Sequence, residues 1–230
     1  MNFTQGNKVV INQKNIKCLF AEFDEIMKSN FAQKCLEGEH VPTEEWTGTV
    51  LKTFREIGKK NKFTCDSSFP TGEYLFDLCW TTYPSYPDTK CEYDKKYYKQ
   101  FYNKLKFGNP QIILSLESEW GVEKDQNRSR TLVLDDFCKI RDVKAPIKVM
   151  VFGFHNQDTD NQKEKNDTSS FQSLVNFMKK LMVHPQYNSA KEYYLLYGIC
   201  WKGKEWERIR KAEAYLVLGH KKEQIFTIPD

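Results

Sequence analysis

The sequence predicts an α/β fold in which a mixed central sheet is flanked by helices. Three observations carry this expectation. Residues 72–80 and 112–120 are strand-like segments in which carboxylates interrupt apolar residues, their side chains dividing between two faces at the two-residue period of a strand. Ile147 to Gly153 is apolar almost throughout, as a strand covered on both faces is. The order strand, helix, strand between Ile112 and Gly153 then calls for a parallel crossover.

Taken in order, the chain opens with Ile16, Leu19, Phe20, Phe23, Ile26 and Met27 at close to helical spacing, which predicts an amphipathic helix from about Asn15 to Gly38. Pro42-Thr43-Glu44-Glu45-Trp46 announces a second helix, with Thr43 as cap and two acids at the positive end of the dipole. It should run to about Lys60, burying Trp46, Val50, Leu51, Phe54 and Ile57. The strand over 72–80 follows. Tyr83-Pro84-Ser85-Tyr86-Pro87-Asp88 reads as a loop, because its prolines do not fit a central strand. Cys91 to Lys106 reads as helical until Gly108-Asn109-Pro110 stops it. Beyond the strand over 112–120, Gly121 to Arg130 reads as a polar loop and Leu132 to Ile140 as a capped helix. Asp158 to Asp167 has no apolar residue and reads as a mobile loop. A helix over Ser169 to His184 comes next. Two final strands, Glu192 to Trp201 and Ala212 to Gly219, flank a basic connector. No internal repeat or domain linker is visible, so residues 1–230 are expected to form one domain.

Composition narrows the class. A chain of 230 residues that is 40 % hydrophobic and 14 % aromatic can bury a large core. With 29 % charged residues and a mean hydropathy of -0.68, it has no run suited to span a bilayer. Its N-terminus lacks a secretory pattern, so the expected compartment is the cytoplasm, with no membrane partner. The seven cysteines are scattered without Cys-x-x-Cys spacing and are expected to be reduced thiols. A net charge of +4 permits a nucleic-acid partner without demanding one.

The residues that carry chemistry are acidic. On the strand over 112–120, Glu117 and Glu119 share a face with Ser115, while Leu114, Leu116 and Trp120 take the other. On the strand over 72–80, Asp77 shares a face with Leu75 and Cys79. Laid side by side, the two strands bring Asp77 to Glu117 and Glu119. Partly desolvated carboxylates at that range repel unless a proton or a cation compensates them, and a hard divalent ion with oxygen ligands suits the task. The plainer reading puts both glutamates on the solvated face of an edge strand, with Asp77 capping a turn.

An Asp at a strand end, followed some 40 residues later by Glu117-Ser118-Glu119, with a helix ahead and a helix plus apolar strand behind, resembles the PD-(D/E)XK nuclease superfamily. The resemblance spans Thr43 to Gly153 and leaves residues 154–230 as a C-terminal extension of a helix and strands. It implies a restriction endonuclease-like αβββαβ core, with Asp77 and Glu117 holding Mg2+ or Mn2+ and an acid of the first helix assisting. Glu44, Glu45 and Glu56 are the candidates for that acid, and Glu45 is taken as the metal ligand. Two positions depart from the family pattern. Phe76 stands where a proline usually precedes the Asp, and Glu119 replaces the usual lysine, as in the Glu-x-Glu variant. The resemblance therefore implies that Glu119 assists the nucleophile and that Lys148, or else Lys139, supplies the cation. The implied activity is metal-dependent hydrolysis of nucleic acid, DNA before RNA, in a chain that could act as a homodimer. The alternative is an inactive binding or interaction domain of the same fold.

The connector adds a candidate nucleic-acid surface. Lys202, Lys204, Arg208 and Arg210 interleave with Trp201 and Trp206, a mixture that grips phosphate backbones or else forms solvated surface. Trp46, Trp80 and Trp120 are read as packing residues, and His155 and His184 are left out of the site.

Overall fold

The computed structural model describes residues 3–5, 8–36, 41–67, 76–82, 111–120, 126–154, 170–183, 191–200 and 210–228. After a short antiparallel pair, β1 (Thr4–Gln5) and β2 (Lys8–Val9), the two expected helices form as α1 (Gln13–Leu36) and α2 (Thr43–Lys60). α2 buries the expected stripe of Trp46, Val50, Leu51, Phe54 and Ile57. Its start corrects the sequence reading. Thr43 is the first helical residue, and Pro42 holds the cap position with no side-chain hydrogen bond. The Pro42 carbonyl accepts the amides of Glu45 and Trp46 instead.

The chain continues through β3 (Thr64–Ser67), β4 (Leu78–Thr81), β5 (Ile112–Glu119), α3 (Gln126–Asp142), β6 (Ile147–Phe154), α4 (Phe171–Met182), β7 (Lys191–Cys200), β8 (Arg210–Leu218) and β9 (Lys221–Ile228). β3 to β9 form a seven-stranded sheet in chain order. Its centre is parallel, β5 to β6 to β7, and both flanks are antiparallel. The parallel pairs need crossovers, which α3 and α4 supply.

The sheet is covered on both faces. Trp80 donates its indole N–H to the Phe54 carbonyl at 2.9 Å, and Phe23 packs on Phe54 and Tyr197, so α1 and α2 lie over the face that carries Trp80 and Tyr197. On the other face Phe137 of α3 meets Tyr194, and Phe171 of α4 stacks on Phe152. Gly58 is what lets α2 approach so closely. A Cβ there would stand 2.5 Å from both the Cys65 sulfur and the Trp80 Nε1. The three tryptophans read as packing residues are buried, with Trp80 fully so.

The differences from expectation have local causes. α3 begins at Gln126, inside the stretch read as a polar loop, because its first turns carry few apolar residues. β9 went unread because its first four residues are exposed and polar, although Gly219 at φ +59 turns the chain into it. β3 is too short to show a period. The expectations for residues 83–88, 91–106 and 158–167, and for the first part of the strand over 72–80, fall outside the described residues. Among the described residues no helix is long and apolar enough to cross a membrane.

Candidate functional site

β4 and β5 run antiparallel with Leu78 opposite Leu116, so the residue preceding Leu78 meets the residue following Leu116. That register sets Asp77 beside Glu117. Asp77 stands in the bend entering β4 rather than within a long strand. Its Oδ2 accepts the Ser118 backbone N–H at 2.8 Å, so a side chain satisfies a ladder donor at the point where the main chain of β4 has turned away.

Glu117 faces α3 and is only 4 % exposed. Burial is the largest influence on its carboxyl, and the charges of Asp77, Asp136 and Glu119 act in the same direction. Lys139 opposes them, and the result is a group pushed up to about 9. Glu117 therefore keeps its proton near neutral pH unless a cation replaces it. Its Oε1 is buried and has no hydrogen-bond partner among the described residues. Sequence reasoning expected Asp77, Glu117 and Glu119 to come together; the register sets Asp77 beside Glu117, and Glu119 lies two residues further along the same face of β5.

Asp136 is the member that sequence reasoning missed. It lies inside α3, one turn before Lys139, whose Nζ stands 2.5 Å from its Oδ1. Hydrogen bonding to Asp136 is the main cause of a raised Lys139, with Glu117 and Asp77 also contributing. The signal was present as Asp135-Asp136 followed by Lys139.

The donor set suits a small hard cation. Mg2+ is commonly held by one or two carboxylates, with water and substrate phosphate completing its shell. Asp77 and Glu117 supply two carboxylates, and the orphaned Glu117 Oε1 is an acceptor lacking a partner among the described residues. Among the described residues no group of three or more His, Cys, Asp or Glu side chains is arranged to hold a metal ion. The fit is thus to a two-carboxylate site that water and substrate would complete. Burial pushes the Cys65 and Cys79 thiols up to about 11, so neither is a thiolate nucleophile near neutral pH.

Several expected residues are placed elsewhere. Lys148 is fully buried on β6, and its three N–H donors meet the Arg141 carbonyl at 2.7 Å, the Tyr194 hydroxyl at 3.2 Å and Glu192 at 2.8 Å. No donor remains for a phosphate, so Lys148 ties β6 to β7 and the α3 C-terminus rather than standing as the cation that the resemblance implied. Arg210 is likewise turned inward, 5 % exposed, with its Nε 2.8 Å from Asp24 Oδ1. The Tyr197 hydroxyl donates to the same carboxylate at 2.8 Å. Burial in this ion pair, which ties β8 to α1, takes Arg210 out of the candidate nucleic-acid surface. Lys202, Lys204 and Arg208 fall outside the described residues, as do His155 and His184. Glu45 is exposed on the first turn of α2, the helix that covers the sheet face opposite Glu117, so the geometry does not gather it with the other carboxylates.

Compared with family models, curated proteins and solved structures, the chain gives no match. The functional reading therefore rests on the geometry of the chain itself.

Proposed function

We propose that the protein is a metal-dependent phosphodiesterase acting on nucleic acid, DNA in the first instance, with a restriction endonuclease-like core. One observation carries the reading. Glu117 is buried beside Asp77 with an oxygen unpartnered among the described residues and same-sign neighbours, an arrangement that a divalent cation relieves. The succession α2, β3, β4, β5, α3, β6 supports the αβββαβ order expected for that core. So does the position of the acids at the junction of β4 and β5.

The residues divide the work as follows. Asp77 and Glu117 offer the ligand oxygens, the first from the bend entering β4, where the Ser118 amide holds it, and the second from β5. When bound, a divalent cation would neutralise charge on the scissile phosphate and acidify the attacking water. Glu119, half-buried at the end of β5, would orient that water and accept its proton. The Ser118 amide fixes one Asp77 oxygen and so sets the direction of the other. Cutting both strands of a duplex would bring two such sites together in a symmetric dimer.

The test is incubation of the purified protein with plasmid and single-stranded DNA in Mg2+ or Mn2+, with and without chelator, beside Asp77→Asn. Cleavage should require metal and fall by on the order of a hundredfold or more in the variant. Full activity in Asp77→Asn refutes the assignment. A second reading, a binding domain without turnover, is favoured by Glu119 standing where the family carries lysine. It predicts salt-sensitive DNA binding with no product in any metal.

A further inference from the structure

Lys148, Arg210 and Lys179 are each engaged by a carboxylate, at 2.8, 2.8 and 3.0 Å. Two cations on the helices that cover the Glu117 face are placed otherwise. The Arg130 guanidinium of α3 lies 3.8 Å from the ring centroid of Phe177 on α4, and the Lys180 ammonium lies 5.2 Å from the same centroid. A ring face attracts a cation through its quadrupole and leaves the N–H fork of a guanidinium without an acceptor. Neither cation has a carboxylate partner among the described residues, and α4 contains no acid. Lys180 is exposed, while Arg130 and Phe177 are half-buried. Two positive charges are thus drawn against one ring at the surface, and an anion bound there relieves their repulsion.

The topology sets this pair toward the end of the sheet that carries the acids. The Arg141 carbonyl, in the last turn of α3, accepts from Lys148 near the start of β6. The first turns of α3, with Arg130, therefore lie toward the other end of the parallel strands, where β5 finishes with Glu117 and Glu119. α4 begins at that end too, since Phe171 packs on Phe152 and Phe154 at the end of β6. Open α/β sheets receive their ligands outside the carboxyl ends of the strands.

We propose that Arg130 and Lys180, carried on Phe177 where α3 meets α4, bind the phosphate backbone of duplex DNA beside the Asp77–Glu117 site. The proposal rests on the reading that this site receives nucleic acid. Arg130 offers a fork that matches two phosphate oxygens, and Lys180 offers a point charge. Phe177 holds both cations in place, so binding does not have to order two free side chains. Contacts of this kind position a duplex and carry no sequence information.

The test is fluorescence anisotropy of a labelled duplex oligodeoxynucleotide binding to the full chain in chelator, over a series of salt concentrations. The variants are Arg130→Gln, Arg130→Lys and Lys180→Gln, each first shown to melt cooperatively near the parent. Lys52→Gln, exposed on the helix that covers the opposite face, is the control of equal charge. Arg130→Gln and Lys180→Gln should each weaken binding about three- to tenfold and lower the salt slope by about one. Arg130→Lys should keep the slope and lose affinity several-fold, because the charge stays and the fork goes. Lys52→Gln should match the parent. Parent-like affinity and slope in Lys180→Gln, whose exposed side chain can be changed without endangering the fold, overturn the proposal. So does an equal loss in Lys52→Gln, because net charge alone then accounts for the effect. Poly-glutamate that competes as well as unlabelled duplex at equal charge overturns the assignment to a phosphate backbone. Absence of all binding by the parent overturns this proposal together with the reading beneath it. Loss of slope in the Arg130 and Lys180 variants without metal-dependent cleavage by the parent supports the surface and sinks the hydrolase alone.

Discussion

Replacing Glu117 by glutamine should stabilise the protein at alkaline pH, the opposite of what loss of a buried polar contact normally does. The carboxyl is pushed from 4.5 to about 9 on folding. Between those values the folded state holds a proton that the unfolded state has released, so stability falls as pH rises. The contribution is fully present below the unfolded value and fully lost above the folded one. Inside the window the slope is about 1.4 kcal/mol per pH unit, so moving from about pH 6 to about pH 8 removes roughly 3 kcal/mol through this group alone. The Glu117→Gln side chain keeps the shape and has no proton to lose. Since 1 kcal/mol moves the Tm of a domain of this size by about 2–4 °C, the variant should gain roughly 5–10 °C on the parent over that interval. A divalent cation at about ten times its Kd should stabilise the parent by about 1.4 kcal/mol and the variant hardly at all. Thermal melts followed by circular dichroism, over a pH series with and without Mg2+, measure both effects. Parallel pH profiles, or equal metal shifts in the two proteins, would refute the placement of Glu117.

Two further substitutions separate the site from the scaffold. Lys148→Met leaves the Glu192 and Tyr194 oxygens without their cation and should cost about 3–5 kcal/mol in urea unfolding, while metal-dependent cleavage per folded molecule stays unchanged. A specific loss of turnover at full stability would return Lys148 to the catalytic list. Gly58→Ala drives a Cβ into Cys65 and Trp80 at 2.5 Å and should cost about 1–3 kcal/mol with α2 displaced, readable as a shift in the urea midpoint and in Trp80 emission. An unchanged midpoint would mean that α2 sits farther from β3 and β4 than described.

The sequence was most legible where periodicity was strong. β5 could be read because Leu114-Ser115-Leu116-Glu117 alternates inside an otherwise β-prone run, and the two-residue period of a strand delivered Glu117 and Glu119 to one face. α2 was read from its helical period, and β6 from an almost unbroken apolar run. What could not be read were the partners. Lys148 occupies a strand position whose neighbours, Tyr194 and Glu192, lie on β7, more than 40 residues away, and only the sheet order brings them together. Arg210 looked like part of a basic connector, yet its partner Asp24 lies 186 residues earlier on α1. Asp136 lay inside a helix that was expected, but nothing in its spacing showed that this helix would face Glu117. Hydrophobic spacing announces an element, but the polar turns that begin it carry no period.

The charged groups inside this fold sort into two kinds, and the contrast argues for the site more strongly than any one residue. Arg210, Asp24 and Tyr197 form one buried cluster, and Lys148, Glu192 and Tyr194 another. In each, a cation meets a carboxylate, and a tyrosine hydroxyl donates to that carboxylate. These clusters tie β8 to α1 and β6 to β7, and they neutralise themselves. Glu117 is buried as deeply, but the charges that bear on it are mostly of its own sign, and Lys139, which opposes them, is engaged by Asp136 at the rim. Among the described residues these clusters are neutralised while Glu117 is left short of positive charge, at a cost to stability that grows with pH. Such a cost persists where something outside the chain compensates it, and at a cluster of carboxylate oxygens the compensating species is a proton or a metal cation. The pH and Mg2+ dependence of the Glu117→Gln difference decides between them, because a site built only for the proton would show the pH slope without the metal shift.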